Sequence, residues 1–294
     1  MNRLAASRAL AKCCDVDGCA IGLPFGPKHF KFFHKAVEFL DCKMRYSTCR
    51  IGVSLAGLAF SIDSLWERCV VNRLNLHIDE SGSQDFSEGR YIVAVVLHDH
   101  SANIADPIDR YECRLSIAGL PNIPFHGKDL LHGNQDYAAV SPGDRKRLLA
   151  QFARFVRKLP FSFFVLRYGV SDARNREELE ARIRRDLALF VFDRLPYFQL
   201  FDVIAVYYDN GQGAVSIALR DALDFALAKN VADYRDADPS ARRLLQVADY
   251  ICTVVRVSDD YDAGRQTKTH ERFFGNRRSF MQSFKKQLER KLFN

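Results

Sequence analysis

The chain has 294 residues, 48% of them hydrophobic and 27% charged, a balance that excludes a disordered or fibrous polypeptide and suffices for one large domain or two small ones. Its formal net charge of +7 suits a polyanionic partner, nucleic acid before others, because basic surface attracts phosphate and speeds encounter. The longest uncharged apolar stretch, residues 51–62, is too short to cross a bilayer, so neither a transmembrane helix nor a membrane partner is expected.

The first seventy residues show no sustained helical or strand period. They hold Cys13, Cys14, Cys19, Cys42, Cys49 and Cys69, leaving only Cys113 and Cys252 beyond, so the body of the chain reads as cytoplasmic and without a disulfide framework. A zinc site built from Cys13, Cys14 and Cys19 lacks paired spacings, since His29 and His34 offer only a ragged second pair. Residues 51–62 have the length of a signal-peptide core behind Arg45 and Arg50 if translation began at Met44, but no clean cleavage site follows. Trp66 and Glu67 must be encoded by TGG-GAR, a purine run like a bacterial ribosome-binding site, and Val70 or Val71 could be a GTG start just downstream. Two readings therefore stand for residues 1–70: translated upstream DNA from a mis-assigned start, or a genuine N-terminal extension. The expected organisation is that segment, a domain over 71–258, and a basic C-terminal helical tail over 259–294.

After residue 70 the elements follow one another. Residues 72–80 alternate Leu74, Leu76 and Ile78 on one face, and the near-continuous apolar run at 90–100 suits a central strand; the intervening Gly82 and Gly89 predict an antiparallel pair. A third strand is expected at 111–117, after a turn containing Pro107. Ser141 as N-cap and Pro142 at the first helical position open a helix whose apolar stripe is Leu148, Leu149, Phe152, Phe155, Val156 and Leu159. A strand at 161–170, a helix at 175–195, a strand at 202–209 and helices at 214–229 and 241–257 complete the reading. Strands followed by alternating helix and strand imply an α/β fold, a mixed sheet with helices on its faces.

Three acids share a setting. Asp79 ends the first strand, Asp209 ends the strand at 202–209, and Asp249 lies in the last long helix. Carboxylates at strand ends can converge although distant in sequence, and Mg²⁺ or Mn²⁺ takes oxygen ligands of this kind together with substrate phosphates. Successive strand side chains point to opposite faces, so Asp79 takes the ligand role and Glu80 a weaker, supporting one. Taken singly, Asp79 and Asp209 are as readily turn formers. Gln246, Asp249, Thr253 and Arg256 form a narrow polar stripe that fits a solvated face or the floor of a cleft. His126, before Gly127, could serve as metal ligand, general base or phosphate contact, or be a plain loop residue.

The segments HIDESG (77–82), HGKDL (126–130), YYDNG (207–211) and LLQVADYICTVVR (244–256) together resemble the bacterial and phage family catalogued as domain of unknown function 3800, whose fold is similar to ribonuclease H. The resemblance covers roughly residues 72–258 and none of the first seventy. It implies a ribonuclease H-like mixed sheet, an antiparallel meander followed by parallel strands, with Asp79, Asp209 and Asp249 near one edge. In nucleases of that fold such acids hold two metal ions about 4 Å apart, one activating water and the other stabilising the leaving oxygen. Glu80 and His126 match the family's motifs and would complete or flank the site.

The function expected on these grounds is divalent-metal-dependent hydrolysis of DNA or RNA, in bacterial defence or mobile-element biology. The alternative is a non-catalytic ribonuclease H-like module that binds nucleic acid or protein; hydrolysis of a small phosphoester is a third reading. A protein partner or homo-oligomer is compatible with each. Arg145, Lys146, Arg147, Arg242 and Arg243 offer phosphate contacts or merely solvated helix faces. With no Walker loop, dinucleotide fingerprint or nucleophile elbow, nucleoside-triphosphatase, dehydrogenase and α/β-hydrolase chemistries are set aside.

Overall fold

The computed structural model describes residues 71–83, 89–208, 213–227, 232–234 and 239–293, all within the unit from Arg68 to Asn294. The cysteine-rich N-terminal segment with its alternative starts, and Asp209, lie outside the described residues.

Strand β1 (Arg73–Gly82) pairs antiparallel with β2 (Arg90–Asp99), and β2 pairs antiparallel with β3 (Ser162–Gly169). On its other side β1 runs parallel to β4 (Val203–Tyr208), which pairs in parallel with the short β5 (Ala232–Tyr234). The sheet order is β3-β2-β1-β4-β5. An antiparallel meander thus continues into parallel strands, the mixed α/β sheet that the sequence leads one to expect. Gly82 closes β1 at φ +107, where a Cβ would stand 2.2 Å from the Arg90 carbonyl oxygen, so only glycine fits this approach to β2.

Helices cover both faces. Leu74, Leu76, Ile78, Val93, Val95, Ile204 and Val206 pack against α4 (Arg176–Asp193) and α6 (Gly213–Leu227). Ile92, Ala94, Val96 and Phe163 face α1 (Ala105–Ile117), α3 (Pro142–Lys158) and α7 (Pro239–Asp262). Period-two alternation along each strand sorts these two sets. Short helices α2 (Gly127–His132) and α5 (Leu195–Phe198) lie in connections. Ser141 caps α3 as expected, its hydroxyl accepting from the Asp144 amide at 3.1 Å with Pro142 just inside, and Asn175 caps α4 through the Glu178 amide.

Two expectations are corrected. The strand expected at 111–117 is the second half of α1: Ile108, Tyr111 and Leu115 are buried at helical spacing, and Pro107 sits in the helix's first turn, where its missing N–H has no intrahelical acceptor to lose. The sheet's third strand is instead β3. A boundary at residue 258 falls inside α7, and the segment beyond it is not a detached tail. Residues Phe273 and Phe274 of α8 (Lys268–Phe274), Phe280 of α9 (Arg277–Phe280), Phe284 in the π turn Met281–Lys285, and Leu288 of α10 (Lys286–Glu289) are buried in the same core as α3 and α7. The chain end then hydrogen-bonds to β3, Phe163 N donating to Lys291 O and Phe293 N to Phe163 O.

Candidate functional site

Asp79 lies opposite Ala94 of β2, half-buried, on the face that α7 covers. The Cys252 thiol of α7 donates to the Asp79 carbonyl oxygen at 3.5 Å, tying the strand end to the helix. Glu80 turns to the other face, where the buried Tyr91 hydroxyl donates to its Oε2 at 2.6 Å. Burial and then the Glu80 charge push the Tyr91 phenol far above its ordinary range, so it stays a proton donor to the carboxylate. The two neighbouring acids of the sequence are therefore separated by the sheet, as strand geometry requires.

The polar stripe of α7 is not a solvated face. The extended segment 124–127 runs along it, and its alternate amides meet side chains one helical turn apart. Phe125 N donates to Gln246 Oε1 at 3.1 Å and Gly127 N to Asp249 Oδ2 at 3.0 Å, while the Tyr137 hydroxyl holds the Pro124 carbonyl at 3.0 Å. Thr253 donates to the other Asp249 oxygen at 3.3 Å. Burial raises the Asp249 carboxyl above the usual carboxylate value, opposed by His126, the Gly127 amide and Thr253. Asp79 and Asp249 both act on Cys252, whose buried thiol is pushed well above its usual value first by desolvation and then by these two charges. Gly127 is required by this contact: a Cβ would lie 1.9 Å from Thr253 Oγ1 and 3.2 Å from Asp249 Oδ1.

His126 occupies the N-cap position of α2, its side chain 60% exposed and its Nδ1 3.1 Å from Asp129 Oδ2. Together these residues line a cavity of about 360 Å³ whose walls include Asp79, Asp249, Lys128, His132, Arg256 and His270. Arg256 Nη1 donates to Ser81 Oγ at 3.3 Å. His270 comes from α8, beyond residues 72–258, the span of the family resemblance. Its Nδ1 accepts the Thr267 amide in a capping box, which leaves the ring proton of the neutral form on Nε2. Burial lowers the His270 pKa, against the pull of Asp260. Only its place in a cavity reveals it; a basic helical tail carries no such signal.

Asp79, His126 and Asp249 are thus brought to one cavity; Glu80 borders it through β1 but directs its carboxylate to Tyr91; Asp209 lies outside the described residues. The basic residues divide differently from expectation. Arg145 is buried and donates from Nη1 to the carbonyls of Leu130 and Leu131 at 2.8 and 3.1 Å, closing the end of α2. Arg243 is buried against Glu112, Asn122 and Gln246, and Arg147 pairs with Asp144 and the Ala118 carbonyl. Arg145 and Arg243 are structural clamps, while Arg147, more than half exposed, belongs to a solvated helix face.

Asp79 and Asp249 supply oxygen ligands of the kind Mg²⁺ takes, and that ion commonly needs only one or two carboxylates with waters and substrate phosphates. Among the described residues, no three His, Cys, Asp or Glu side chains lie close enough to hold a metal ion. No helix among them is long and apolar enough to cross a membrane.

No family model matches the chain, and no curated protein matches it. Among solved structures, the chain is similar to one chain of the PCNA:RNase HII complex from Archaeoglobus fulgidus, with 16% sequence identity and a TM-score of 0.34 over 74% of this chain and 89% of that one. A score that low leaves the strand order and pairing as the description of the fold.

Proposed function

We propose that the protein is a divalent-metal-dependent nuclease that hydrolyses phosphodiester bonds of DNA or RNA. The observation that carries this reading is the meeting of Asp79, from the central strand, and Asp249, from α7, in one cavity whose remaining walls carry Lys128, Arg256 and two further histidines. Acids and cations in one cavity suit a phosphodiester, the carboxylates serving Mg²⁺ or Mn²⁺ and the cations the phosphate oxygens. Ile78 of β1 stands opposite Tyr208 of β4, and these two residues precede Asp79 and Asp209 in the sequence. The reading takes Asp209, which lies outside the described residues, as the third carboxylate on its place in the sequence alone. Bound metal would supply an activated water and charge stabilisation at the leaving oxygen. Asp129, held against His126 Nδ1, orients that imidazole for proton transfer or phosphate contact through Nε2.

A second reading, a ribonuclease H-like module that binds nucleic acid without cutting it, is favoured by one observation: the Gly127 amide and Thr253 hydroxyl already engage both oxygens of Asp249, a structural duty that needs no metal. Cleavage of a panel of single- and double-stranded DNA and RNA with Mg²⁺ or Mn²⁺, by wild type and by Asp79→Asn and Asp209→Asn proteins purified alike, separates the two. Metal-dependent cutting lost in both variants supports the nuclease. A folded wild type that binds the panel and cuts none of it leaves the binding module.

A further inference from the structure

The chain's excess of positive charge is confined to one segment. Residues 263–294 hold nine Lys and Arg against two Asp and Glu, which accounts for the whole net charge of +7 and leaves the first 262 residues balanced. Phe273, Phe274, Phe280, Phe284 and Leu288 of this segment are buried in the core shared with α3 and α7, so the cations between them are driven to the surface of α8–α10. Arg277 and Lys285 are held there by Asp262, and Arg265 lies 3.8 Å from Asp260. Lys268, Arg272, Arg278 and Lys286 are exposed and take part in no ion pair among the described residues.

A second row of cations adjoins them. The outward side of α3 carries Lys146, Arg154, Arg157 and Lys158, all exposed and likewise without an ion pair among the described residues. Lys146, Arg154 and Arg157 fall within one quarter-turn of the helix and span about 17 Å of its length. Helix α3 touches the basic segment at both ends: the Arg145 guanidinium stands 5.6 Å from the Phe273 ring centroid, and Lys291 Nζ donates to the Leu159 carbonyl at 2.6 Å. Like charges gathered on adjoining elements repel one another unless a polyanion neutralises them. The surface begins at the candidate site, because α8 gives His270 to the wall of that cavity and carries Lys268 and Arg272 exposed to solvent.

From this we infer that the outer surface of α8–α10 and α3 holds the phosphate backbone of a nucleic acid strand whose path leads to the cavity. The inference rests on the nucleic-acid part of the function proposed above and deepens it, but it does not require cleavage. Lysine and arginine contacts to phosphate fix the position of a strand without reading its bases, so this surface positions nucleic acid and selects no sequence. An anionic membrane is the other polyanion that a basic face can meet. Membrane-surface helices set exposed aromatic or aliphatic residues opposite their cations, whereas Phe273, Phe274, Phe280 and Phe284 are all buried here.

The test is binding of the full-length protein to fluorescein-labelled oligonucleotides, single-stranded and duplex, read by fluorescence anisotropy over a series of salt concentrations in EDTA, so that nothing is cut. Arg272→Gln with Arg278→Gln, and Lys146→Gln with Arg157→Gln, should each weaken binding by about tenfold and reduce the slope of log affinity against log salt by roughly 1.5, the counterions of two phosphates. Arg184→Gln with Arg185→Gln, exposed on α4 across the sheet, removes the same charge and should leave affinity within about twofold. Equal losses in the α4 pair would reduce the effect to net charge and overturn the inference. Unchanged affinity in either of the first two pairs also overturns it, as does a folded wild type that binds no oligonucleotide but sediments with vesicles of phosphatidylserine and phosphatidylcholine. Binding of the expected pattern by a protein that cuts nothing once Mg²⁺ is restored sinks the nuclease reading and leaves the surface standing; metal-dependent cutting with binding untouched by the four substitutions does the reverse.

Discussion

Along β1, the side chains toward α4 and α6 are Leu74, Leu76 and Ile78, all but fully buried, while Asn75, His77 and Asp79 stand on the face that α7 covers. The two rows share one backbone, yet from Leu74 to Asp79 one is apolar and the other polar, and Glu80 at the strand end breaks the apolar row. The same division holds in β4, where Ile204 and Val206 join the apolar core and Tyr207 lines a cavity. Both faces carry core around β2, where Ile92, Ala94 and Val96 pack under α3 and α7, so it is at the ends of β1 that the α7 face leaves room for ligands. The cost of placing polar groups under helices is met by local partners: Gly127 N–H for Asp249, Ala102 carbonyl for His98.

The strongest way to break this comparison is to exchange the roles of adjacent acids. Asp79→Asn should reduce metal-dependent cleavage by more than about a hundredfold, since even outer partners of metal ligands contribute 10–100-fold, with the unfolding free energy changed by less than about 1 kcal/mol. Glu80→Gln, on the far face beside Tyr91, should leave cleavage within about threefold, because its amide oxygen still accepts from the phenol. Equal losses from the two would show that the faces are not functionally distinct.

On the apolar row, Leu76→Ala should cost about 2–5 kcal/mol in urea unfolding through transfer and cavity terms, with cleavage per folded molecule unchanged. The contact between α2 and α7 comes next: Gly127→Ala forces Thr253 to give way and lose its bond to Asp249, an overpacking cost of about 1–3 kcal/mol. The double variant Gly127→Ala with Thr253→Ala should recover part of that loss, since the two sites touch.

The smallest effect is on pH. Desolvation lowers the His98 pKa in the folded protein below its value of 6.5, partly offset by the bond to the Ala102 carbonyl and with His100 nearby lowering it further. The unfolded chain then binds a proton that the folded protein refuses, so stability rises with pH through that window and falls as pH drops below 6.5. Replacing His98 with Gln should reduce the slope below pH 6.5 without abolishing it, because burial lowers the His77 pKa as well; an unchanged slope in unfolding free energy against pH would assign it to His77 and other groups.

Legibility follows the same division. Leu74, Leu76 and Ile78 could be read as a strand face from their spacing alone, and Ser141 with Pro142 fixed the start of α3 to the residue. Alone, the segment 111–117 has the look of a short strand; with Ile104 and Ile108 included, its apolar residues have helical period. Asp79 and Asp249 were visible as acids at unusual places, but Arg145 and Arg243 were indistinguishable from surface cations until their carbonyl and carboxylate partners were seen.

The sequence by itself determined the α/β alternation, the separation of Asp79 from Glu80, and the narrow stripe of Gln246, Asp249, Thr253 and Arg256, because each depends only on the period of the local backbone. Tertiary structure alone decided that the stripe receives the amides of Phe125 and Gly127, that His270 enters the cavity from beyond residue 258, and that His77 is sealed beneath Tyr207. Those facts depend on which elements of the chain pack together across more than a hundred residues of sequence in several cases, and periodicity within one element carries no information about the neighbour it will meet.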